Sequence, residues 1–152
     1  AYEMLRSLVG SEMCIRDRLC ANIDLGHTLR MIGILNEAGR PRIVAYIILL
    51  LGITEGDREH YARNGIALNP DTDCTLAPSL ADAYQNRGWG TVMMRHLIDV
   101  ARRLGRKRMV LMWGTQAANS RAIRFYEKLG FRYIATFEEP PGVFNHDMIL
   151  DL

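Results

Sequence analysis

The stretch Tyr84-Gln85-Asn86-Arg87-Gly88-Trp89-Gly90-Thr91 decides how the chain reads. An extended run over residues 75–83 leads into it, and an amphipathic helix is predicted directly after it, over residues 92–104. Gly88 and Gly90 let the backbone turn tightly and approach a ligand with no Cβ in the way. The helix behind them offers N–H groups without intrahelical partners and the positive end of its dipole. A loop of this kind holds phosphates.

What the stretch lacks narrows the ligand. A dinucleotide site of the doubly wound fold asks for a third glycine three residues past the second, where Met93 stands. It also asks for an early βαβ unit, whereas two strands with no helix between them come first here. A P-loop asks for Gly-Lys-Ser/Thr after its spacers, which is absent. A pyrophosphate held mostly by main-chain N–H groups remains.

Upstream of the loop, residues 28–35 and 42–51 are rich in Ile, Val, Leu and Tyr, and NEAGRP (36–41) lies between them. This predicts a β-hairpin with a loop longer than two residues. Residues 52–73 are polar, with Asn69-Pro70-Asp71 as a turn signal and a minor strand over 66–68. Residues 74–83 form a strand broken by Pro78, which places the proline at an edge or a bulge. Downstream, Met93, Met94, Leu97, Ile98, Ala101 and Leu104 make one stripe of the helix, and Gly105 stops it. Residues 106–113 (RKRMVLMW) are basic and then continuously apolar, as in a buried parallel strand. The basic set Arg102, Arg103, Arg106, Lys107 and Arg108 reads as a solvated helix C-terminus matched to its dipole. A second helix over 119–129 carries Ala122, Ile123, Phe125, Tyr126 and Leu129 on its apolar side and ends at Gly130. Residues 131–137 and 143–150 close a second hairpin around Glu138-Glu139-Pro140-Pro141-Gly142. The order β–β–β–α–β–α–β–β is that of an α/β fold, a central sheet of mixed strand direction flanked by helices.

At 152 residues, with 49% hydrophobic and 24% charged side chains, the chain is one domain able to bury its own core. A net charge of +2, with no aromatic–basic interleaving, argues against nucleic acid as partner. The apolar run 43–51 is far shorter than the roughly 20 residues of a membrane span, so no membrane partner is read. Cys14, Cys20 and Cys74 have neither metal-ligand spacing nor an even count. They point to a reducing cytoplasm and to no metal. No basic-then-apolar signal segment is read at the start. Residues 8–18 (LVGSEMCIRDR) resemble translated sequencing-adapter read-through. On that reading residues 1–18 are not native, and a single domain begins near Leu19 without its native N-terminal strand and helices. The competing reading is a natural helix, with Met4, Leu5, Leu8 and Val9 on one face.

The run Gln85-Asn86-Arg87-Gly88-Trp89-Gly90 fits the Q/R-x-x-G-x-G/A signature of the GNAT superfamily of N-acetyltransferases. The run 119–131 (NSRAIRFYEKLGF) resembles that superfamily's next motif, N-x-x-A-x-x-F-Y-x-x-x-G-F. The resemblance covers roughly residues 74–152, and it is the two motifs in order and at this separation that make it specific. It implies the GNAT-type acyl-CoA N-acyltransferase fold, acetyl-CoA as co-substrate, and transfer of the acetyl group to a primary amine by direct attack in a ternary complex. Carried over by position, the N–H groups of Asn86, Arg87, Gly88, Trp89, Gly90 and Thr91 cradle the pyrophosphate behind Gln85. The backbone of Leu80, Ala81 and Asp82 pairs with the pantetheine arm like an added strand. Asn119 contacts the cofactor near the splayed strands, and Tyr126 stands by the departing sulfur as the catalytic residue.

These residue types suit the chemistry. A phenol of reference pKa about 10 can serve a leaving thiolate of about 8.5 as a hydrogen-bond or proton donor. The attacking amine must first lose a proton to a base tuned towards neutrality. Many relatives carry a glutamate about ten residues before the loop, where this chain has Thr75. Asp73, Asp82, Glu138, His146, Asp147 or a water chain are left as candidates for that task. Trp89 and Trp113 read as packing, and Glu138 and Glu139 as a turn that either attracts a cationic amine or is merely solvated. The resemblance leaves the acceptor open between small-molecule and peptide amines, and a homodimer undecided. The alternative to an enzyme is a catalytically weak acyl-CoA-binding regulatory or interaction module.

Overall fold

The computed structural model describes residue 24 and residues 26–152. The expectations for residues 1–18 and for a domain start near residue 19 lie outside the described residues. In chain order the elements are β1 (Thr28–Glu37), β2 (Arg40–Leu50), α1 (Glu55–Arg63), β3 (Asp73–Leu80) and α2 (Trp89–Arg103). They continue with β4 (Arg108–Leu111), β5 (Thr115–Gln116), α3 (Ser120–Lys128), β6 (Arg132–Glu138) and β7 (Phe144–Asp151). The first hairpin pairs as far as Glu37↔Arg40, so its turn is the two residues Ala38 and Gly39 and not the longer loop expected. Both have positive φ, 48° and 76°, which matches the twist of the strands they join. Alanine rarely adopts that conformation, which is why the sequence hides the turn.

The sheet is mixed. β2 pairs antiparallel with β1 and β3, β3 runs parallel to β4, and β4 is antiparallel to β7. β6 pairs with one edge of β7, and β5 resumes along the other edge after β4 has ended. One face is covered by α2 and α3, whose Met94, Leu97, Ile98, Ala101 and Tyr126 pack on Leu49, Cys74, Leu76, Met109, Met148 and Leu150. Leu104, expected on the same stripe, is instead 42% exposed. The opposite face joins Tyr61 of α1 and Leu68 to Val110 and Ile149. Strand alternation sends Ile149 to one face and its neighbours Met148 and Leu150 to the other.

Helix α1 stands where a polar connection was expected, and residues 66–68 form no strand. Thr54 caps it: the hydroxyl accepts from the Asp57 N–H at 3.1 Å and donates to Asp57 Oδ2 at 2.6 Å. This is a local variant of the capping box. Asp57 and Tyr61 are the buried residues of the helix, so the sequence shows no apolar stripe there. Glu55–Arg58 and Glu59–Arg63 pairs line its wet side.

β3 runs through Pro78 without the bulge that was one expectation, since its register with β2 is unbroken at Ile47↔Pro78. Backbone alternation explains the tolerance. The Ala81 N–H goes to Val44 O of β2 and the Met112 N–H to Leu76 O, so the even-numbered residues of β3 turn their polar backbone towards β4. The β3–β4 ladder ends at Leu76↔Leu111. Pro78 therefore lacks its N–H on an edge that carries no partner strand among the described residues. The basic set after α2 does more than meet solvent. Arg108 pairs with the fully buried Asp73 at 2.6 Å and donates to Ala67 O, while Arg106 donates to Asp71 O. Two of its cations thus clamp the loop over residues 64–72.

Candidate active site

The loop after β3 is held open by its backbone angles. Asn86 and Gly88 both have positive φ, 58° and 82°, and Gly88 caps α2, which starts at Trp89, three residues before the predicted start. The N–H groups of residues 86–90 have no acceptor among the described residues. The Thr91 N–H is turned back onto Gly88 O, so it drops out of the expected cradle. Successive free N–H groups with alternating handedness at a helix N-terminus make a concave anion site. Gln85 does not extend that cradle through its side chain: Nε2 donates to Leu80 O at 3.1 Å and Asp82 Oδ1 at 2.8 Å, bracing the loop against β3. Tyr84 anchors the loop to the first hairpin through Glu37, and Arg87 lies 6.0 Å over the Tyr84 ring.

The two motifs meet at Gly90. A Cβ there would lie 3.4 Å from the Phe125 ring and 3.8 Å from Leu80 Cδ2, so loop, β3 end and α3 touch at one point. Leu80 has its N–H on the open edge of β3, whereas the Ala81 N–H is already committed to β2. Asn119 is the N-cap of α3, its Oδ1 accepting from the Ala122 N–H at 3.0 Å. Tyr126 is buried between Phe125 and Phe131, and its hydroxyl has no hydrogen-bond partner among the described residues. Burial pushes that phenol up to about 12. It is a hydrogen-bond donor at neutral pH and a reluctant proton donor.

Most of the carboxylates and the histidine named as bases are already employed. Asp73 holds Arg108 and the Asn69 N–H, Glu138 accepts from the Gly142 N–H, and Asp82 accepts from Gln85. His146 Nδ1 is 2.9 Å from Thr136 Oγ1 and its ring stands edge-on to Tyr133. Thr75 donates to Gly52 O. Asp147 is different: it is buried, and neither carboxylate oxygen has a partner among the described residues. Desolvation, with a smaller push from Asp57, raises its pKa to about 7. Asp57, on the missed helix α1, is also buried, and desolvation raises its pKa as well. The capping signal Thr54-x-x-Asp57 was the one trace of it in the sequence.

Between them the chain is bent hard. Trp113, a bulky residue with φ 57°, donates its N–H to Asp57 Oδ1 at 3.1 Å. Gly114 follows at φ 66°, and a Cβ on it would meet His146 O at 2.6 Å. The His60 ring lies 4.1 Å from that of Phe137 and 6.5 Å from that of Trp113, with Nε2 3.8 Å from Glu139. An acid-and-aromatic cluster thus occupies the sheet face opposite α2 and α3.

The sequence pattern of the acetyltransferase (GNAT) family matches residues 41–131. The chain is 34% identical over 123 residues to Acetyltransferase PA5475 of Pseudomonas aeruginosa, an alignment covering 81% of this chain and 55% of that protein. The chain therefore spans about half the length of that curated relative. Its fold matches the GNAT domain of S. lividans PAT with a TM-score of 0.66 at 21% identity, over 91% of this chain and 69% of the other. It also matches yncA, a putative acetyltransferase from Salmonella typhimurium solved with its cofactor acetyl-CoA. There the TM-score is 0.55 at 22% identity, over 72% of this chain and 58% of the other. Pattern, relative and sheet topology agree, and the chain belongs to the acetyltransferase (GNAT) family.

Proposed function

We propose that the chain moves an acetyl group from acetyl-CoA to a primary amine by direct attack within a ternary complex. The observation that carries this reading is the run of free N–H groups over residues 86–90, set beside the open edge of β3. Those donors suit a pyrophosphate. Leu80 offers an extended, amide-bearing arm one backbone N–H on that edge. Acetyl-CoA supplies the thioester. The chain binds it along one side of the splayed strands and excludes water with Phe125 and Leu80. Tyr126 donates a hydrogen bond to the sulfur as charge gathers there. The acceptor approaches from the face carrying α1, where acidic and aromatic side chains favour a cation. A small-molecule amine and a peptide amine both satisfy that chemistry.

Thr75, lacking the carboxylate of many relatives and tied to Gly52, supports a second reading: an acyl-CoA-binding module with little turnover. One experiment separates the two. Purified protein is given acetyl-CoA and a panel of amines while free thiol and thermal midpoint are followed. The enzyme reading expects thiol release, a higher midpoint with acetyl-CoA, and a kcat for Tyr126→Phe lower by about 10²-fold with KM little changed. A shift in midpoint with no turnover on any amine selects the binding module. No shift removes both.

A further inference from the structure

Both neighbours of β7 depart from regular pairing at the same residue. The β4 ladder ends at Val110↔Ile149 and β5 resumes at Thr115↔His146, so residues 111–114 detour past Met148 and Asp147. Across the strand, the β6 register shifts between Tyr133 and Ala135, and Ala135 is the partner of Asp147. Asp147 is 1% exposed with neither oxygen hydrogen-bonded among the described residues. Buried carboxylates are ordinarily paired, and this one costs stability as it stands. His60 Nδ1 is a second buried atom without a partner. Such groups call for a ligand, an ordered water or a bound proton.

We propose that Asp147, with Asp57 beside it, is the carboxylate that receives the proton of the acceptor ammonium. The inference rests on the acetyl-transfer reading and supplies the base that Thr75 does not. Asp147 takes one proton from the ammonium, leaving a neutral amine and a carboxylic acid. The nitrogen lone pair then forms the C–N bond at the thioester carbonyl, the C–S bond breaks, and its electron pair leaves on sulfur. The second nitrogen proton passes to the thiolate as the amide forms, and Asp147 returns its own to solvent. Asp57 is held by Thr54 and Trp113 and so is not the free acid. Burial, with a smaller push from the charge of Asp57, holds the pKa of Asp147 at about 7, the range a base at physiological pH needs. The charged and titratable groups around this place are Asp57, His60 and Tyr61 of α1, Arg132 and Glu139 at either end of β6, and His146 of β7.

The test follows kcat/KM against pH for the full chain with the best amine of the panel. Wild type is expected to lose activity below about pH 7, the acidic limb set by Asp147. Asp147→Asn is expected to remove that limb and lower kcat by about 10²- to 10⁴-fold, while the midpoint shift with acetyl-CoA persists. Asp147→Ala should regain activity with added formate. Turnover by wild type with full kcat/KM and an intact limb in Asp147→Asn overturns this proposal alone. Wild type inactive on every amine overturns the acetyl-transfer reading and this inference with it. Unfolding of both variants also overturns it, because a neutral replacement of an unpaired buried carboxylate should stabilise the fold.

Discussion

Gly88 and Gly90 look alike in the sequence and do different work. Gly88 has φ 82° and open space for 4 Å around the position a Cβ would take, so its requirement is conformational. Gly90 is a regular helical residue whose Cβ would touch Phe125 at ordinary contact distance, 3.4 Å. Gly88→Ala should cost about 1–2 kcal/mol and weaken acetyl-CoA binding by tilting the free N–H groups. Gly90→Ala should fold and bind nearly as wild type. Isothermal titration of both variants with acetyl-CoA checks the contrast, and equal losses would refute it. The sequence marked the loop over residues 85–91 but not this division. It read both residues alike, as serving a tight turn and clearance for a ligand, and φ is not written in residue type.

At the scale of elements, β2, β3, α2, α3 and the last hairpin were legible because each buries a periodic apolar face. Helix α1 was not, because its attachment is polar. Thr54 caps it, Asp57 ties it to the Trp113 turn, and the Tyr61 hydroxyl donates to Met148 O at 2.7 Å. Thr54→Ala should therefore cost about 1 kcal/mol, as cap losses do. It should also slow turnover more than it weakens acetyl-CoA binding, since the loop proposed to hold the cofactor lies on other elements. Urea denaturation and steady-state kinetics read the two effects separately. Arg108→Met is a harsher change. It strands the fully buried carboxylate of Asp73 beneath the loop that Arg108 clamps, and a loss of about 3 kcal/mol in urea denaturation is expected.

For the whole molecule, the acid pair sets a pH dependence of stability. The folded pKa of Asp147 is raised to about 7 from an ordinary value of 3.8, so the native state binds more protons than the unfolded one between them. Stability from this group is full below about pH 4 and is lost as pH rises towards 7. The raised pKa of Asp57 acts in the same direction. The difference in unfolding free energy between wild type and Asp147→Asn should widen over that window and level off above it. Chemical denaturation at several pH values measures it, and a constant difference would contradict the burial argument. The family, and the fold class with it, were readable from two motifs and their spacing, whereas the two-residue strand β5 was not. The acid cluster was not, because α1, β6, β7 and the turn after β4 assemble it, and no local window of sequence spans them.

A cradle built from main-chain N–H groups is indifferent to the side chains it carries. Arg87→Ala and Trp89→Ala leave every donor of residues 86–90 in place, so long as Gly88 keeps its backbone angle. Across the sheet the reverse holds, since exchanging one oxygen of Asp147 for an amide nitrogen alters the chemistry there. Mutational tolerance is thus divided between the two sides of a single sheet. A saturation library selected for acetyl-CoA retention would accept wide variation in the loop, and one selected for turnover would add losses at Tyr126 and around α1 and β7.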